Sequence, residues 1–211
     1  MKHLANDGRA RRFGLALAVA AAVLLQHGGA HAQGGGTPMA TVKSTLTASN
    51  EIVTGPGDHN SKLAKLKELL RDFLDTDALG RKSMGKHLDG KSEAQTREFL
   101  DLFRELFIRT YVQRLLLFEA PDFEYGEEKV KGDRATVSTF IVTPRDKFAA
   151  DYDLEKKSAR WIATDIRIEG VSLAENFKSQ FDRALAKKSF DELLTQLRNK
   201  LRSGDSSGGT D

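Results

Sequence analysis

The stretch Trp161–Phe181, WIATDIRIEGVSLAENFKSQF, constrains the fold more than any other part of the chain. Ile162, Thr164, Ile166 and Ile168 alternate with Ala163, Asp165 and Arg167, which is the two-residue period of a strand. Gly170 stands where the chain has to turn back, and glycine enters left-handed conformations without a Cβ clash. Ser172 with Glu175 has the spacing of a capping box, in which each side chain takes a backbone N–H that the helix start leaves free. Phe177, Phe181 and Leu185 follow at helical spacing. A strand, a one-glycine corner and a capped amphipathic helix are therefore expected in that order. On this alternation Trp161 lies on the face opposite Ile162, Ile166 and Ile168, toward solvent, a pocket mouth or another layer.

The rest of the chain supplies helices on either side of a run of strands. Met39–Val53 reads as a weak amphipathic helix through Val42, Leu46, Ile52 and Val53, broken by Gly55-Pro56-Gly57-Asp58. From Ser61, Leu63, Leu66, Leu69, Leu70, Phe73 and Leu74 form a helical stripe. Asp75 or Asp77 caps a short helix through Leu79 and Met84, closed by Gly90. The strongest helix runs from Ser92, boxed with Gln95, to about Phe118, and Pro121 stops it. The period then drops to two over Phe123–Val130, Ala135–Val142 and Lys147–Glu155, with turns at Lys131-Gly132-Asp133 and Pro144-Arg145-Asp146. Ser189 with Glu192 boxes a last helix carrying Leu193, Leu194, Leu197 and Leu201. Helices, then strands, then helices predict an α+β fold with a four-stranded antiparallel meander. Such a sheet, curled under a helical layer, leaves an apolar space between the two.

The first 32 residues read as a cleavable export signal. Arg9, Arg11 and Arg12 precede an apolar run from Phe13 to Leu25, and Ala30-His31-Ala32 is a small-x-small cleavage site. The run is too short to span a bilayer comfortably, which needs about 20 residues. A single domain over 33–202, with a Gly/Ser/Asp-rich tail over 203–211 that is expected to be disordered, completes the organisation. The signal carries four of the 33 Lys and Arg but one of the 30 Asp and Glu, so the remainder is balanced and gives no footing for nucleic-acid binding. With no cysteine there is neither a disulfide nor a lipoprotein anchor.

Catalytic chemistry has little to stand on. Outside the signal the histidines are His59 and His87, and no Ser-His-Asp spacing or metal-ligand pattern appears. Asp151, Asp153, Asp165 and Glu169 supply carboxylates for acid–base work, with Asp165 or Glu169 as base in an enzyme reading. Ser172 is read as a helix cap rather than a nucleophile. Lys62, Lys65 and Lys67 read as a solvated face, and Lys187 and Lys188 as a solvated face or a contact for headgroups or a partner.

The strings Trp161 with Asp165, Glu169-Gly170-Val171-Ser172-Leu173 and Gln180-Phe181 resemble the MlaC family. So do Leu79-Gly80, Gly85-Lys86-His87, and the series Gln95, Phe99, Phe103-Arg104 and Thr110-Tyr111, over roughly Val42 to Leu201. The chain departs from the family's pattern at Leu88, where an aromatic is common, and at Ala163-Thr164-Asp165, where Val-Tyr-Asp or similar is frequent. The resemblance implies a nuclear transport factor 2-like cradle enclosing an apolar pocket, lined from Phe103, Phe107, Tyr111, Phe140, Phe148, Tyr152, Trp161 and Phe177. It implies a periplasmic phospholipid carrier working between an inner-membrane ABC-transporter complex and an outer-membrane lipoprotein complex. That traffic keeps phospholipid out of the outer leaflet. No cofactor, metal, nucleic acid or enzymatic activity is implied, and a monomer is expected. Another lipid such as a hopanoid, or an acid–base enzyme on the same cradle, are the alternatives.

Overall fold

A computed structural model of the chain describes residues 36–117 and 121–203. The expected export signal, the tail from 204 onward and Phe118 lie outside the described residues.

Capping chemistry starts most of the helices where the sequence places it. Thr37 caps α1 (Pro38–Thr54), with proline in the first turn, where its missing N–H costs nothing. Asp58 caps α2 (His59–Phe73), and Asp75, not Asp77, caps α3 (Thr76–Met84) through Ala78 N at 2.8 Å. A 3-10 helix, Gly85–Leu88, follows. Ser92 and Gln95 form both halves of their capping box ahead of α4 (Glu93–Leu117).

The strands are β1 (Asp122–Lys131), β2 (Arg134–Val142), β3 (Lys147–Lys157), β4 (Arg160–Ile168) and β5 (Val171–Ser172). They form one antiparallel sheet in sequence order. The expected count of four is therefore five. Glu169 and Gly170 both take positive φ, 50° and 77°, as a two-residue hairpin turn requires, so Val171 and Ser172 fall back onto Ile168 and Arg167 as a short fifth strand. Ser172 then caps α5 (Leu173–Leu185) directly, and Ser189 with Glu192 closes a full capping box on α6 (Phe190–Arg202).

The helices cover one side of the sheet. Helix α1 packs on β1 and β2; α2, α3 and α5 approach β4; α4 runs among α2, α3 and α6. Leu74 bridges to Ala163 in parallel fashion, with Asp75 N donating to Ala163 O at 2.8 Å, which ties the α2–α3 junction to the sheet. A single core joins the two layers, running from Val42, Leu66 and Phe73 through Phe99, Phe103 and Ile108 to Val137, Tyr152 and Leu154.

A bulge changes the reading of Trp161. Asp153 pairs with Asp165 but Leu154 pairs with Ala163, so Thr164 is an extra residue in β4. One inserted residue flips the side-chain parity. Trp161 and Ala163 consequently share the helix-facing side with Ile166 and Ile168, and Trp161 is 8% exposed.

Candidate functional site

The helix-facing side of the sheet is built from cross-strand rows, since directly paired residues share a face. Phe123, Ile141 and Phe148 form one row; Tyr125, Thr139, Ala150 and Ile168 the next; Val137, Tyr152 and Ile166 a third; Ala135, Leu154 and Ala163 a fourth. On the two central strands, Ala135 to Ile141 and Phe148 to Leu154, this side is apolar except for the hydroxyls of Thr139 and Tyr152. Burial pushes the Tyr152 phenol up to about 12, and the Thr139 hydroxyl bonded to it pulls the other way without offsetting that.

An aromatic column runs along α4 and α5. Phe103 stacks on Phe99 at 5.8 Å and meets Phe177 edge-on at 5.2 Å; Phe107 stacks on Tyr111 at 4.3 Å, and Phe177 lies 6.4 Å from Tyr111. Phe181 reaches both Phe99 and Phe103, and Phe190 approaches Phe99. Offset and edge-on geometries of this kind add roughly 0.5–1.5 kcal/mol per pair beyond burial.

Of the eight aromatics singled out in the sequence, the structure brings Phe103, Phe107, Tyr111 and Phe177 into this column. Tyr152 sits on the sheet side and meets Phe73 edge-on at 5.8 Å. Trp161 lies at the end of the sheet near the β3–β4 turn, with Lys156 over its ring. Phe148 is on the helix-facing side at the other end, 38% exposed. Phe140 stands on the opposite face, paired with Glu124 and Ala149 under the Lys147 ammonium, so the column and Phe140 do not share a side. Phe99, Phe181 and Phe190, absent from the expected lining, belong to the column; Phe99 and Phe181 carry the signal of the helical stripes, and Phe190 has none beyond its place after a cap.

At the end of the sheet where the β2–β3 and β4–β5 turns lie, Phe148, Ile168 and Val171 are exposed large apolar side chains. Leu115, in the last turn of α4 leading toward β1, is exposed as well. Two clefts elsewhere on the protein carry many charged side chains. One of about 410 Å³ is lined by Lys82, Lys129, Lys131, Arg134, Asp153 and Glu155, and one of about 650 Å³ by Arg71, Asp75, Asp77, Arg104 and Arg160.

The carboxylates of the enzyme reading are engaged in structure. Asp165 is 5% exposed; its Oδ1 accepts from Ile166 N and Ala174 N, and its Oδ2 accepts from Ser172 Oγ at 2.7 Å. Glu169 accepts from Ala149 N, and Asp153 with Asp151 holds Arg167. Burial alone would lower the Arg167 guanidinium, but those carboxylates raise it above its ordinary value. Among the described residues no group of three or more His, Asp or Glu is placed to hold a metal ion, and no helix is long and apolar enough to cross a membrane.

An antiparallel sheet with helices packed against one side, and an aromatic column along α4 and α5, defines an α+β protein. The chain belongs to the MlaC family, described as MlaC protein, which matches residues 39–199. It is also similar in fold to a phospholipid-binding protein from Ralstonia solanacearum whose structure contains a phospholipid. That likeness has a TM-score of 0.69 and 22% identity, over 78% of this chain and 97% of the other.

Proposed function

We propose that this protein is a periplasmic phospholipid carrier that binds its cargo without chemistry. The observation that carries the reading is the aromatic column at Phe103, Phe107, Tyr111 and Phe177, together with the exposed apolar side chains of Phe148, Ile168 and Val171 at one end of the sheet. Membership of the MlaC family and the phospholipid in the Ralstonia solanacearum protein support it. In this reading the helical layer and the sheet form a nuclear transport factor 2-like cradle that parts to admit acyl chains.

The energetics favour enclosure. Each methylene moved out of water gains about 0.8 kcal/mol, so two acyl chains of roughly 30 methylenes cost on the order of 20 kcal/mol to expose. Transfer from bilayer to protein exchanges one apolar surrounding for another, so the net change is small and docking to a partner sets direction. The carrier takes lipid between an inner-membrane ABC-transporter complex and an outer-membrane lipoprotein complex and so maintains outer-membrane asymmetry. It is exported by the leader over residues 1–32 and works as a monomer.

The test is native mass spectrometry of protein from a periplasmic extract, with the bound material identified. Stoichiometric phospholipid is the expected result. A hopanoid would reassign the cargo, and an empty protein that accepts no lipid from vesicles would overturn the carrier.

A further inference from the structure

Three hydroxyls stand together on the otherwise apolar helix-facing side of the central sheet. Tyr125 pairs with Thr139 across β1 and β2, and Tyr152, one row further along β3, is hydrogen-bonded to Thr139. Above them, the Lys43 ammonium of α1 lies 5.3 Å from the centre of the Tyr125 ring. Exposure falls along this line: Lys43 is exposed, Tyr125 half-buried, Tyr152 4% and Thr139 1% exposed. Thr139 Oγ1 donates to Ala150 O at 3.0 Å, and Tyr152 is engaged with Thr139, so the inner hydroxyls have partners. The Tyr125 hydroxyl, at the boundary with solvent, has no hydrogen-bond partner among the described residues. A ring held under a cation, offering an unpaired hydroxyl at the edge of an apolar layer, suits a ligand that is polar at one end only.

We propose that Tyr125 and Lys43, backed by Thr139 and Tyr152, form the subsite for the phosphate and glycerol-ester end of a bound phospholipid. This rests on the carrier reading above. Methylene chains offer nothing to an ammonium or a phenol, whereas the phosphate carries negative charge and the ester carbonyls accept hydrogen bonds. The tails then lie against the apolar rows around Ile141, Ala150 and Ile166 and the column facing them. Lys43 sets the preference for a charged phosphate, and Tyr125 orients the first ester.

The test offers the delipidated full chain equimolar vesicles of diacyl phosphatidylethanolamine and diacylglycerol, which share tails and differ at the phosphate, with bound lipid read by native mass spectrometry. Wild type is expected to load phosphatidylethanolamine preferentially. The double variant Lys43→Met, Tyr125→Phe keeps the lysine stem and the ring and is expected to lose about tenfold of that preference while still loading two-tailed lipid. An unchanged preference in a variant that still loads lipid overturns the subsite alone. A wild-type chain that loads neither lipid overturns the carrier reading and the subsite with it. Should the double variant fail to fold, Lys43→Met by itself alters only an exposed side chain: a reduced preference for the phosphate-bearing lipid supports the subsite, and an unchanged one overturns it.

Discussion

The Ser172 hydroxyl donates to Asp165 Oδ2 across 2.7 Å, with both residues 5% exposed. The same hydroxyl oxygen accepts from Glu175 N at 3.1 Å and so caps α5. One side chain thus closes a helix and satisfies a buried carboxylate, and it links the β4–β5 corner to the helix that carries Phe177 and Phe181.

Ser172→Ala and Ser189→Ala separate these duties. Ser189 caps α6 in an exposed capping box, and its loss is expected to cost about 1 kcal/mol. Ser172→Ala loses a cap and also strands a carboxylate oxygen whose next cation, Lys82, is 3.9 Å away, so it is expected to cost roughly 2–4 kcal/mol. Urea unfolding of the two variants reads the difference. Equal losses would mean that Asp165 draws nothing from Ser172.

Gly80 lies within α3, where alanine is ordinarily better than glycine by about 1 kcal/mol. Here a Cβ would stand 3.0 Å from both Leu100 Cδ2 and Phe103 Cδ1. Leu100 and Phe103 are themselves buried and cannot retreat without displacing the column. Gly80→Ala is therefore expected to destabilise by about 1–2 kcal/mol net, overpacking outweighing helix propensity. A raised thermal midpoint would show that the column yields more easily than its packing suggests.

Much of the fold was legible because its signals are local. The capping boxes at Ser92 and Ser189, the cap at Ser172 (where Glu175 does not complete the expected box), the breaks at Gly55-Pro56-Gly57 and Pro121, and the switch of period after α4 each depend on a few neighbouring residues. What was not legible depends on pairing at a distance. The flip of Trp161 follows from an extra residue opposite the Asp153–Leu154 step, which no alternation within β4 announces. The side taken by Phe140 follows from register against β1 and β3, since an aromatic in a strand reads as core whichever face it takes. The polar line from Lys43 to Tyr152 joins residues of α1, β1, β2 and β3 that are scattered in the chain. The helical aromatics Phe103, Phe107, Tyr111 and Phe177 lie on amphipathic stripes whose buried side is set by the helix itself, so their mutual packing could be read without any pairing at a distance.

Phe103 and Phe140 make a matched pair of aromatic truncations. Phe103 is 3% exposed and touches Phe99, Phe107, Phe177 and Phe181, so Phe103→Ala is expected to cost about 3–5 kcal/mol. Phe140 is 36% exposed on the other face, and Phe140→Ala is expected to cost no more than about 1 kcal/mol. On the proposed function, lipid loading by Phe140→Ala also stays at the wild-type level. Vesicle-loading assays and urea midpoints on both variants check this, and a loading defect in a folded Phe140→Ala protein would place the tails on the wrong side of the sheet.

Asp75 gives a pH dependence whose sign follows from its surroundings. Burial pushes its carboxyl up, but the Lys157 ammonium and the Ala78 amide outweigh burial and hold it below its ordinary value. A carboxyl depressed in the folded state binds its proton more readily unfolded, so its contribution is complete above the unfolded value of about 3.9 and is lost as pH falls through the lower folded value. Asp75→Asn keeps an oxygen to cap α3 at Ala78 N yet removes the charge facing Lys157. The variant is expected to be less stable than wild type at pH 7, with the gap closing as pH falls below 4 because wild type alone loses this charge. Urea midpoints of the two proteins at pH 7, 4 and 2.5 measure it. A gap of constant size across that range would assign the loss to cap geometry and leave the Lys157 pair without a share in stability.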